Sequence, residues 1–82
     1  MKKTINRKVY DTEKAEHVAY RYAGEFGRPD GYEERLFVKK NGEHFVYGIG
    51  GHESKYGEPA IMPMTDKQAK EWKKDDSVTI IA

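Results

Sequence analysis

Asn41-Gly42, set between two apolar runs, constrains this chain more than any other feature. The runs are Leu36-Phe37-Val38 before it and Phe45-Val46-Tyr47 after it. Asn-Gly supplies the positive φ values of a two-residue type I′ turn, so the segment predicts a β-hairpin. With Asn41 and Gly42 as the loop, Lys40 is expected opposite Glu43, Lys39 opposite His44 and Val38 opposite Phe45. Phe37 then faces Val46, and Leu36 faces Tyr47. Strand alternation puts Leu36, Val38, Phe45, Tyr47 and Ile49 on one face, read as core. Arg35, Phe37, Lys39, His44 and Val46 share the other. That second face mixes an aromatic and a β-branched residue with charges, and it is the first place to look for a partner.

Eighty-two residues predict a single domain spanning 1–82. A domain of that size buries only about 60–65% of the surface its unfolded chain exposes. Fifteen Lys and Arg nearly balance fourteen Asp and Glu, and ten aromatics accompany them, which points to a folded chain rather than a disordered one. A net charge of +1 speaks against an acidic nucleic-acid mimic, and equally fails to advertise a strongly basic nucleic-acid binder. Without cysteine there is no disulfide framework and no thiolate metal site, which fits a reducing cytoplasm. No apolar run approaches the roughly 18 residues of a membrane span, and the first residues lack a signal peptide's apolar core.

Along the chain, Met1 to Tyr10 reads as a short extended pair around Asn6-Arg7. Asp11-Thr12 offers a cap to one helical turn over Glu13 to Glu16. Val18, Tyr20 and Tyr22 alternate as in a strand, and Gly24 to Gly31 reads as a loop. After the central hairpin comes a glycine-rich stretch from Gly48 to Gly57. Pro59 and Pro63 bracket Ala60-Ile61-Met62, which is therefore an edge strand at best. Thr65 and Gln68 form a capping box, with Met64 placed to staple against Ala69. On the helix that follows, Ala69 and Trp72 share one side, and Lys67, Lys70 and Lys74 share the opposite one. Val78-Thr79-Ile80-Ile81 closes the chain as a strand. The expected fold is α+β: a small antiparallel sheet of about four to five strands with a central Asn-Gly hairpin and one main C-terminal helix, packed through Trp72.

Catalytic chemistry finds little support. His52, Ser54 and Lys55 share a loop, but no orienting carboxylate stands at a recognisable spacing and no nucleophile elbow is present. His17, His44 and His52 fall in separate elements without metal-ligand spacing, so neither metal nor cofactor is expected. The lysine stripe of the last helix, joined by Lys2, Lys3, Arg7 and Lys8, could track phosphates while sheet aromatics stack bases. Glu71, Asp75 and Asp76 interrupt that stripe, as on any solvated helix face. Six tyrosines are many for so small a core, and tyrosine is enriched at protein interfaces.

Taken in order, Tyr10-Asp11-Thr12-Glu13-Lys14-Ala15, the Asn41-Gly42 hairpin, Tyr47-Gly48-Ile49-Gly50-Gly51, Ser54-Lys55-Tyr56, Ile61-Met62-Pro63-Met64-Thr65 and Ala69-Lys70-Glu71-Trp72 form a series. That series resembles small proteins of bacterial phages and mobile elements, some of which have anti-CRISPR activity. The resemblance covers Ile5 to Trp72. It implies a non-enzymatic protein of the bacterial cytoplasm that binds a protein partner, such as a Cas effector, and inhibits by occluding its surface. The residues expected to carry such binding are Arg35, Phe37, Lys39 and His44 on the sheet, with Lys55 and Tyr56 from the glycine loop. The alternative is a small nucleic-acid-binding domain that uses Lys67, Lys70 and Lys74 with the sheet aromatics.

Overall fold

A computed structural model of the chain describes residues 1–24 and 29–81. The loop expected over Gly24 to Gly31 lies partly outside those residues. The described chain runs β1 (Lys2–Ile5), β2 (Lys8–Asp11), β3 (Glu16–Ala23), β4 (Tyr32–Val38), β5 (His44–Gly50), β6 (Ala60–Met64), α1 (Asp66–Lys73) and β7 (Thr79–Ile80). β1 and β2 form a hairpin of their own, and the other five strands make one antiparallel sheet in the order β6-β5-β4-β3-β7. The α+β expectation holds, with the small N-terminal hairpin as a separate two-stranded sheet.

The central hairpin forms, but one residue out of the expected register. Phe37 pairs with Phe45, Leu36 with Val46 and Arg35 with Tyr47. The Lys39 amide donates to the Glu43 carbonyl at 2.8 Å and the Gly42 amide to the Lys39 carbonyl at 2.9 Å, so the loop is Lys40-Asn41-Gly42. Gly42 has φ +90°, whereas Asn41 is not in the left-handed region. This is the three-residue hairpin, a type I turn followed by glycine in the left-handed region, which Asn-Gly also suits. The two-residue turn with both φ values positive occurs elsewhere. It sits between β1 and β2, where Asn6 (φ 51°) and Arg7 (φ 66°) connect the Ile5–Lys8 pair.

A one-residue slip exchanges the faces of one strand relative to the other. Leu36 and Val46 now share a face with Ala19, and against them α1 packs Ala69 and Trp72. Phe37 and Phe45 share the opposite face, which the β1–β2 hairpin covers with Tyr10 and Ile5. The sheet therefore has a core on each side. That is why both apolar runs are continuous rather than alternating: the middle of β4 and β5 is buried twice.

α1 starts as expected. Its Gln68 amide donates to the Thr65 hydroxyl at 3.1 Å, and the Thr65 amide donates back to the Gln68 side chain at 2.9 Å. Met64 packs against the cluster that holds Ala69. β6 is one edge strand, and among the described residues the other edge is the two-residue β7. β7 satisfies backbone more than it buries side chains, since Ile80 and Ile81 remain 51% and 53% exposed. Before β3, Asp11 caps a single turn: its carboxylate accepts from the Glu13 amide at 3.0 Å and its carbonyl from the Ala15 amide at 3.2 Å.

Candidate functional site

The pairings define three rows on the hairpin side of the sheet. Pro63, Phe45, Phe37 and His17 form the first row, and Tyr10 closes on it with its ring 5.4 Å from that of Phe45. Ile61, Tyr47, Arg35 and Tyr20 form the second, and Ile49, Glu33 and Tyr22 the third. An extra residue in β3, Val18, brings His17 and Tyr20 onto the same side despite their odd spacing. The hairpin does not extend over the third row. Tyr22 is 55% exposed there and meets Tyr20 edge-on at 5.4 Å.

Polar groups in this open half hold one another. Arg35 pairs with Glu33, two positions earlier in β4. The Glu33 charge, followed by partial desolvation, raises the Tyr22 phenol above its usual range. At the covered boundary, His17 stacks on Phe37 with centroids 5.0 Å apart. Burial, then the Arg35 charge, lowers the His17 imidazole below its ordinary value, and its Nε2 has no hydrogen-bond partner among the described residues. The open half thus combines tyrosines, an arginine and an isoleucine on strands paired into the sheet.

The other side of the sheet is closed. Tyr56 descends from the glycine loop and lays its ring over Gly48, where a Cβ would come within 2.2 Å of Tyr56 Cε1. The Tyr56 hydroxyl donates to Glu34, which is 1% exposed, and Arg21 Nε donates to the same carboxylate at 2.5 Å. Lys55 Nζ stands 3.7 Å from Glu34 Oε2, while Arg21 also pairs with Asp75 at 2.9 Å and lies 5.2 Å above the Trp72 ring. Burial, then the bond to Glu34, pushes the Tyr56 phenol far above its usual range. A buried carboxylate is tolerated because each oxygen has a donor.

The expected partner residues are therefore dispersed. Arg35 lies in the open half. Phe37 is 6% exposed beneath the hairpin, not on an open face. Lys39 lies over the Tyr10 ring at 4.7 Å, near Glu43. His44 has moved to the helix side, with Nδ1 3.5 Å from Asp66 Oδ1, and Tyr56 is buried there with Lys55 at its rim. The slip in register explains His44, the cover of the β1–β2 hairpin explains Phe37, which keeps its expected side with Arg35, and the packing role of Gly48 explains Tyr56. Lys67, Lys70 and Lys74 are exposed on α1, across the sheet from the tyrosines, so the two halves of the nucleic-acid alternative do not meet. Ser54 is engaged in its own turn, donating to the Gly51 carbonyl at 2.7 Å and accepting from the Tyr56 amide at 3.1 Å. Tyr20, Tyr22 and Tyr47 were absent from the expected set, although the alternation of Val18, Tyr20 and Tyr22 already put two of them on one face.

No known protein family, curated protein or solved structure matches the chain. Among the described residues, no helix is long and apolar enough to cross a membrane.

Proposed function

We propose that this chain is a non-enzymatic binding protein that engages another protein through the open half of the hairpin-side face. The observation that carries this reading is the contrast between adjacent rows. The row through Phe37 is sealed by the protein's own hairpin, while beside it Tyr22 stands exposed, with Tyr20 and Arg35 half-buried next to it. Tyrosine and arginine on a rigid frame are the residue types in which interface energy concentrates. Tyrosine has only two χ angles to fix on binding, and Arg35 is already held by Glu33.

The class of partner follows from the resemblance of the motif series to mobile-element proteins. It makes a Cas effector in the bacterial cytoplasm the partner to test first, with occlusion as the mechanism. Several residues of that series also have packing roles here: Gly48 admits Tyr56, Thr65 caps α1, and Ala69 and Trp72 fill the core. The test is plasmid interference in cells carrying an active effector. Expression of the chain should restore transformation of a targeted plasmid, and Tyr22→Ser with Arg35→Ala should abolish that protection. Failure of the unaltered protein to protect in any effector background would refute the Cas reading, leaving the surface to be tested with other partners.

A further inference from the structure

Charge in this nearly neutral chain is unevenly placed. Met1 to Tyr10 contains four of the fifteen Lys and Arg and none of the fourteen Asp and Glu, so the remaining residues are net acidic, eleven bases against fourteen acids. All four cations, Lys2, Lys3, Arg7 and Lys8, are exposed on the β1–β2 hairpin. Only Lys8 has an ion pair among the described residues, at 3.4 Å from Glu43. A groove of about 930 Å³ between the hairpin and the β4–β5 turn continues the basic surface, with Lys2, Lys14, Lys39 and Lys40 facing Asp11 and Glu13. The Asp11 carboxylate is partly committed there, accepting from the Glu13 amide.

The hairpin's tip is the second, independent observation. Arg7 occupies φ 66°, a left-handed conformation that glycine adopts freely and a side-chain-bearing residue adopts at a cost. Strain of this kind is characteristically found where a side chain is needed for function. The ribbon is held rigidly from below by Tyr10 and Ile5, which leaves its tip and outer face free.

We propose that this hairpin is a basic finger that grips the phosphate backbone of double-stranded nucleic acid, with Arg7 at its apex. Charge complementarity names a polyanion. The lack of a stacking group favours a duplex, because the ribbon's one aromatic, Tyr10, is 4% exposed and turned into the core. Single strands are held largely by bases stacked on exposed rings, whereas duplexes are held by phosphate contacts that need only cations. This inference uses a different element from the protein-binding surface and does not rest on it.

The experiment is a fluorescence-anisotropy titration of the full chain with a mixed-sequence DNA duplex across a salt series. Four phosphate contacts should give a slope of log K against log salt of about −3 to −4. Arg7→Gly should reduce the magnitude of that slope by about one and weaken binding at low salt, while raising Tm by about 2–5 °C through relief of the backbone. Lys2→Gln with Lys3→Gln should reduce the slope by about two without changing Tm. Arg7→Gly binding the duplex as tightly as the unaltered chain would overturn the proposal. So would a single strand of the same sequence binding more tightly than the duplex, or polyglutamate displacing the duplex at equal charge concentration, which would indicate an acidic protein partner instead. Loss of binding in a Lys67→Gln, Lys70→Gln, Lys74→Gln variant equal to that of the hairpin variants would also overturn it.

Discussion

On the helix side of the sheet, two consecutive rows are covered, by Trp72 over Leu36 and Val46 and by Tyr56 over Gly48 and Glu34. On the hairpin side the row through Phe37 and Phe45 is sealed, the next is covered at Ile61 and half-open at Tyr20 and Tyr47, and Tyr22 in the third stands exposed. The same strands supply both faces, so backbone propensity does not explain the difference. What differs is the length of the covering element. A two-stranded ribbon of four-residue strands spans part of one face, whereas α1 and the glycine loop together span most of the other. A small domain that can afford an incomplete cover leaves its uncovered rows for something else.

The largest effects should come from the two cores. Trp72→Ala and Phe37→Ala should each cost about 3–5 kcal/mol, near the whole stability of a domain this size, read by urea or thermal melts. A cooperative, fully folded Phe37→Ala protein would break the comparison, because it would place Phe37 on an open face. Gly48→Ala should come next, at about 1–3 kcal/mol, since the new methyl displaces the Tyr56 ring from the sheet. An unchanged melt would show that Tyr56 does not close the helix side.

pH should separate the faces as well. The folded Tyr56 phenol is raised above its ordinary value of 10.0, so the folded state retains its proton longer than the unfolded one. Its contribution is complete below about pH 10 and is lost as pH rises through the folded value. Tyr56→Phe should flatten that alkaline decline while costing about 1–3 kcal/mol at neutral pH for the hydrogen bond taken from Glu34. His17 acts in the opposite direction. Its folded value lies below 6.5, so the folded state binds fewer protons there, and stability is complete above about pH 6.5 and falls as pH drops towards the folded value. His17→Gln should remove this part of the acid decline, and a melt series whose acid arm is unaltered would place the His17 ring in solvent.

Much of this arrangement was legible in the residues. The capping box, the anchoring by Trp72, the proline-bracketed edge strand and the existence of the central hairpin all follow from local chemistry that the fold leaves intact. The register did not follow, because Asn-Gly serves both a two-residue turn and the last positions of a three-residue one. Only tertiary packing of Phe37 on Phe45 and Leu36 on Val46 chooses between them. Asn6-Arg7 marks the centre of a short extended pair in the sequence but does not announce a type I′ turn, since arginine carries no turn signal. Of the expected binding residues, Arg35 lies on the hairpin side, in the half the ribbon leaves open. His44 changes sides through the slip, whereas Phe37 keeps its side and is buried by the hairpin, whose cover depends on how two sheets dock, which no local pattern encodes.

The smallest effect on stability should be at the open rows. Tyr22→Ser should change it by no more than about 0.5 kcal/mol, because the ring is mostly in solvent and no core depends on it. The most direct measurement of the two-face account places a photo-crosslinking amino acid at position 22 in one variant and at position 70, on the exposed side of α1, in another. Each is then irradiated in lysate of a bacterial host carrying an active Cas effector. The account predicts a discrete adduct with a single protein from position 22, abolished by Arg35→Ala in the same chain, and none from position 70. The same adduct appearing from position 70 but not from position 22 would contradict it, and would move the binding surface to the side of the sheet that this structure shows closed.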